Sequence, residues 1–121
     1  MDKYDFGDGN GLVPAKRHIN HNGELGGWVA DTARVSGEAF VSGKARVYGK
    51  AFVFGKARVY GKAQVFGEAL VRGEAQVYDA AQVSGYAEVY DKAQVYDEAR
   101  VSGKARVYGE AKVSGKAKVY A

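Results

Sequence analysis

The stretch Ala45-Arg46-Val47-Tyr48-Gly49-Lys50 decides the fold, because its pattern returns every six residues through most of the chain. Valine occupies every sixth position from Val29 to Val119, sixteen times without exception. From Val35 onward each valine has an alanine two places before it, Ala33 through Ala117. Two places after it stands glycine or aspartate, apart from the closing Ala121. Self-similarity at a short fixed period is the signature of a solenoid, one small unit stacked on itself.

Alanine and valine two apart lie on one face of an extended segment, since side chains alternate across a strand. The residue before the valine and the residue after it then point outward. Helical spacing fits nowhere in this pattern. The next two positions read as a corner. Glycine adopts a positive φ freely and aspartate tolerates it better than most residues, which suits Asp31, Asp79, Asp91 and Asp97 as well as the glycines. A four-residue strand and a two-residue corner must coil rather than form hairpins, because hairpins would leave half of the small apolar pairs without a shared interior. The interior of such a coil is thin enough for alanine and valine to fill.

This run, Trp28 to Ala121, resembles the hexapeptide-repeat proteins. The resemblance implies an all-β chain, a single-stranded left-handed parallel β-helix of triangular section. Its 18-residue coils number about five here, and an N-terminal cap precedes them. Residues 1–27 then form the capping segment and residues 28–121 the β-helix. Arg17-His18-Ile19-Asn20 together with Gly26-Gly27-Trp28-Val29-Ala30 also resembles the lead-in of bacterial and phage-associated members of that family.

Composition narrows the function classes. The 121 residues make one domain, with no cysteine for disulfides, thiol catalysis or cysteine-based zinc sites. No apolar run is long enough to span a membrane, and Met1-Asp2-Lys3-Tyr4-Asp5 is no signal peptide, so a cytoplasmic protein without a membrane partner is expected. The formal charge of +4 is unevenly spread. Residues 34–65 are basic, 66–98 acidic and 99–118 basic again. On a solenoid these become bands along the axis. An acidic middle argues against a nucleic-acid groove and suits side-by-side pairing of two prisms; drift of solvated charge is the simpler alternative.

Residues eighteen apart stack in columns. Phe52, Phe54 and Leu70 form an outward apolar cluster, with Phe40 and Phe66 on neighbouring faces at similar height. A cluster of this kind marks self-association or a partner surface, or else stacking within the chain. Tyr60, Tyr78 and Tyr96 fall in register beside Arg58, Gln76 and Gln94. They read either as a stabilising tyrosine and amide ladder or as a platform for stacking a small ligand. Glu38, Lys56, Glu74, Lys92 and Glu110 alternate in sign down one corner. Asp79 and Asp97 share another corner, where turn geometry accounts for them better than a cation does.

The head breaks the period. Gly7-Asp8-Gly9-Asn10-Gly11 is a turn without the features of a nucleotide loop. Residues 13–20 lead as a strand into an Asn22-Gly23 turn, and Trp28 is expected to plug the first coil as part of the cap. At the other end Val119 and Tyr120 lie on a last coil with nothing to cover it, so end-to-end association or a docked partner is expected there.

Many hexapeptide-repeat proteins are acyltransferases, and some are metal-dependent carbonic anhydrases, with histidines near a coil and loops that leave the prism. Here no histidine follows His21 and no hexad is interrupted. His18 and His21 in the head are the only candidates for acid–base chemistry, and no pocket is evident around them. The sequence therefore reads as a non-catalytic scaffold or protein-interaction module, without metal or cofactor, forming a homo-oligomer (dimer or trimer). It would associate through Phe40, Phe52, Phe54, Phe66 and Leu70 or through the Val119-Tyr120 end. The alternatives are an oligomer that binds or sequesters a small ligand between subunits, and a degenerate acyltransferase relative.

Overall fold

A computed structural model describes residues 2–20 and 22–120, and among these every regular element is a strand. The head supplies β1 (Lys3–Asp5), β2 (Leu12–Ile19) and β3 (Leu25–Ala30). After it each hexad contributes one two-residue strand, from Arg34–Val35 to Lys118–Val119. These are shorter than the four residues expected from the pattern. Bridge pairing covers only the valine and the residue before it. The residue after the valine still donates to the next coil, as from Tyr48 to the Val65 carbonyl (3.0 Å), and the corner falls on the two positions that follow.

Every third strand pairs in parallel with strict eighteen-residue register, which builds three sheets around a shared interior. The first face runs from β3 through Arg46–Val47, Gln64–Val65, Gln82–Val83 and Arg100–Val101 to Lys118–Val119, with β1 and β2 added at its edge. The second holds Arg34–Val35, Phe52–Val53, Leu70–Val71, Glu88–Val89 and Arg106–Val107. The third holds Phe40–Val41, Arg58–Val59, Gln76–Val77, Gln94–Val95 and Lys112–Val113. The chain is thus a parallel β-solenoid of about five turns.

The interior is the repeated Ala/Val pair and little else. Val41 through Val101 are fully buried, and the alanines between them are closed to solvent as well. Fully burying one such side chain is worth about 1.5–3 kcal/mol, so the valine rows are the main stabilising term. Hydrogen bonds tie each coil to the next. From Trp28 to Arg100 the N–H of the residue before the valine donates to the alanine carbonyl seventeen residues on, as in Arg58 to Ala75 (2.9 Å) and Gln64 to Ala81 (3.0 Å).

The corners need a left-handed residue. Asp79, Asp91 and Asp97 stand there at φ of 58°, 59° and 59°, a conformation glycine adopts without cost. Each aspartate offsets its strain with a hydrogen bond that glycine cannot make. The carboxylates of Asp79, Asp91 and Asp97 accept the corner N–H groups of Asp97, Gly109 and Gly115 on the next coil, at 3.0–3.1 Å. Asp31, expected to belong with them, has no positive φ. It directly follows β3, which pairs antiparallel with β2, and its N–H donates to the Pro14 carbonyl (3.0 Å).

The head is a hairpin laid against the start of the coil. Gly23 at φ 88° forms the turn expected at Asn22-Gly23, and its N–H donates to the Asn20 carbonyl (2.8 Å). Trp28 does not plug the interior. It precedes Val29, so strand alternation sends it outward beside Arg46, and its ring stacks on Tyr4 at 4.7 Å.

The coil is instead closed by Asn20, which is buried. Its side-chain amide donates to the Val41 carbonyl (3.1 Å) and its Oδ1 accepts the Val41 N–H (3.0 Å), imitating the strand that the third face lacks above Phe40–Val41. Gly26 and Gly27 allow this close approach, because a Cβ on either would fall on the carbonyl oxygen of Val41 or Ala45.

Two outcomes follow from these contacts. Asn20→Ala leaves two backbone groups of Val41 without partners and should destabilise the fold by about 2–4 kcal/mol in denaturant melts, with faster amide exchange at Val41. Asp79→Ala keeps the left-handed strain and loses the carboxylate bond, costing about 1–2 kcal/mol, whereas Asp79→Gly relieves the strain and should stay within about 0.5 kcal/mol of the parent.

Candidate functional site

The outward columns carry whatever recognition this surface offers, and each is positioned by the eighteen-residue register. On the second face the rings of Phe52 and Phe54 touch at 4.6 Å between centroids, and Leu70 lies directly below Phe52. All three are half-buried. Below them the same face turns polar. Glu88 pairs with Arg72 (3.5 Å) and Arg106 (3.7 Å), Arg72 sits over the Tyr90 ring at 4.1 Å, and Tyr90 stacks on Tyr108 at 5.4 Å. Glu88 thereby links two arginines that stand two coils apart.

The other expected interface residues lie where the period places them, on the neighbouring faces and the last coil. Phe40 belongs to the third face, with the Arg58 guanidinium 5.7 Å from its ring. Phe66 belongs to the first face and stacks on Tyr48 at 4.9 Å. Val119 and Tyr120 lie on the last coil, where Val119 is half-buried and Tyr120 is 74 % exposed. Beside them Ala111 and Ala117 are exposed, unlike the alanines of the inner coils.

On the third face Tyr60, Tyr78 and Tyr96 stack at 4.9 and 5.1 Å with rings within 6° of parallel. The hydroxyls of Tyr60 and Tyr78 donate to the Oε1 atoms of Gln76 and Gln94 (2.9 and 3.0 Å), and Tyr48 does the same to Gln64 on the first face (2.8 Å). Burial raises the phenol pKa of Tyr48, Tyr60 and Tyr78 above its ordinary value, so these hydroxyls stay donors at neutral pH. The ring faces inside the stack are consumed by one another, and only its ends present a free π surface.

The head adds residues that the repeat pattern could not reveal. Phe6 is buried, its ring stacked on Tyr48 at 4.7 Å and edge-on to Tyr4 at 4.7 Å, and its carbonyl accepts from Arg46 Nη1 (3.2 Å). Ile19 and Leu25 face each other across the hairpin and are both exposed. His18, half-buried on β2, lines a crevice of about 530 Å³ with Lys16, Arg17, Ile19, Asp31 and Val35 among its walls. His21 lies outside the described residues.

Among the described residues no three His, Cys, Asp or Glu side chains gather as a metal site would require. Asp79 and Asp97 do share a corner column, and their carboxylates are engaged with backbone N–H groups as turn residues. The alternating corner column Glu38, Lys56, Glu74, Lys92 and Glu110 is wholly exposed, and the two ion pairs among the described residues both use Glu88 instead. Side chains at the corners project into water, where pairing gains little. No helix among the described residues is long and apolar enough to cross a membrane.

Stacked parallel coils with their columns define a β-solenoid repeat protein. A family model described as YdcK Beta solenoid repeat matches residues 93–109, one stretch of the regular coil. Comparisons with curated proteins and with solved structures gave no match.

His18 carries a pH signature. Burial lowers its pKa from 6.5, so on acidification through that value the unfolded chain takes up the proton first and stability falls. His18→Gln should therefore lose less thermal stability than the parent between about pH 7.5 and pH 5.5, as followed by circular dichroism melts.

Proposed function

We propose that the protein is a non-catalytic scaffold or protein-interaction module that self-associates side by side through the second face. The observation that carries this reading is the contact pair Phe52–Phe54 with Leu70 beneath it, half-exposed on a five-strand parallel sheet. Apolar side chains gathered on a sheet surface gain from being covered, and a second prism offers a matching face. The arginine–glutamate–tyrosine network lower on the same face supplies a polar rim of the kind that surrounds a contact core. The basic, acidic and basic bands along the axis favour two prisms set antiparallel or staggered.

The last described coil is the second surface in this reading. Its exposed Ala111 and Ala117 would be covered by one more coil, whether of this chain or of another copy. In the same proposal the coil is a left-handed hexapeptide-repeat coil, the location cytoplasmic, the assembly a dimer or trimer, and the kin bacterial or phage-associated repeat proteins. The six-residue period supports the coil, and the segments Arg17 to Asn20 and Gly26 to Ala30 support the kinship.

Replacing both rings (Phe52→Ser with Phe54→Ser) should leave the strand signal in circular dichroism intact, because neither side chain enters the Ala/Val interior. Sedimentation equilibrium at tens of micromolar should then show the parent as an oligomer and the double variant shifted toward monomer. A parent that sediments only as monomer, or a variant that keeps the parent's mass, would overturn the reading.

A further inference from the structure

The first and third faces begin with nearly the same side chains in the same places. On the first face three coils read Trp28-Val29-Ala30, Arg46-Val47-Tyr48 and Gln64-Val65-Phe66. On the third they read Phe40-Val41-Ser42, Arg58-Val59-Tyr60 and Gln76-Val77-Tyr78. In both, a ring column begins on the second coil, a small residue stands above it on the first, and an arginine flanks the top ring. In both, the top tyrosine donates its hydroxyl to the glutamine of the next coil.

The two sites differ in occupancy: among the described residues only the first is filled. The Phe6 ring lies on Tyr48 in the room left by Ala30, and Arg46 donates to the Phe6 carbonyl. Tyr48 is buried as a result. At the second site the same room, bounded by Ser42, Arg58, Tyr60 and Phe40, is an open crevice of about 450 Å³. Tyr60 is half-exposed there, and Arg58 is exposed. Arg58 makes no ion pair among the described residues.

We infer that this crevice is a docking site for an aromatic residue of an extended peptide from a partner protein. The ring would stack on the free face of Tyr60 in the room left by Ser42, and its main-chain carbonyl would accept a hydrogen bond from the Arg58 guanidinium. The molecule's own segment Tyr4-Asp5-Phe6 is the template for this mode, since it docks one ring and one carbonyl on an equivalent tyrosine and arginine. An arginine that presents several donors in a fixed fork suits a carbonyl beside a stacked ring. The site is separate from the Phe52/Phe54 face, so its success or failure does not depend on self-association.

The test uses the full chain and the capped peptide acetyl-Lys-Tyr-Asp-Phe-Gly-amide as probe, followed by nuclear magnetic resonance titration. Saturable shifts at Ser42, Arg58 and Tyr60 are expected, and the peptide with alanine in place of phenylalanine should produce none of them. Ser42→Tyr, which extends the ladder into the crevice, should weaken binding at least about fivefold, the scale of one lost aromatic contact. Arg58→Gln should weaken it as well, while leaving the tyrosine stack intact. If Ser42→Tyr does not fold, Ser42→Leu and Arg58→Gln decide the matter. No shift at Tyr60 up to about 5 mM peptide, shifts confined to Tyr48 and the head, or equal affinity in the folded variants would overturn the inference.

Discussion

Every feature of this molecule depends on one constraint: the coil interior has room for an alanine and a valine from each side and for nothing larger. A methylene more on any inner position would force side chains off their rotamers, and a polar group there would have no partner. The backbone must therefore return in whole hexads, and around three faces it returns every eighteen residues, with valine on valine and alanine on alanine. The outward columns follow from this return. Tyrosines stack, and glutamines stand beside them to accept their hydroxyl protons, because the interior has already fixed where each outward residue must lie.

Against that uniform background the head does two different jobs. Asn20 terminates the third face by standing in for a strand, so a backbone edge that would otherwise invite pairing is closed by one side chain. Phe6 and Tyr4 work on the outside of the first face, joining Trp28, Tyr48 and Phe66 into an aromatic row. The cap is thus partly a lid on the coil end and partly a strap along one side. Shielding from solvent also lowers the pKa of His18, which lies on the strand between these two contacts.

What the sequence made legible is what repeats. The period, the parallel coils, the three-residue aromatic ladder and the left-handed corner aspartates could all be read because each is set by neighbours six or eighteen residues away. The head was legible only as a hairpin. Its docking rests on contacts such as Asn20 to Val41 and Phe6 to Arg46, which no period announces. Trp28 was misplaced because its size suggested a plug, while its position before Val29 put it on the outside. Phe40 and Phe66 stand on the faces neighbouring that of Phe52, where the eighteen-residue period puts them. A faint signal of the ring sites was present in the small residues Ala30 and Ser42, each of which stands where the coil below carries an aromatic ring.

The eighteen-residue return also governs how such a chain can change its length. Gain or loss of three hexads lengthens or shortens the prism and leaves every downstream side chain on its own face. Gain or loss of a single hexad turns everything downstream by one face, so Tyr78 and Tyr96 would leave the column of Tyr60, and Glu88 would no longer lie beneath Leu70. The interior cannot register the difference, since all hexads look alike from within. The outer columns are therefore the only record the molecule keeps of its own phase.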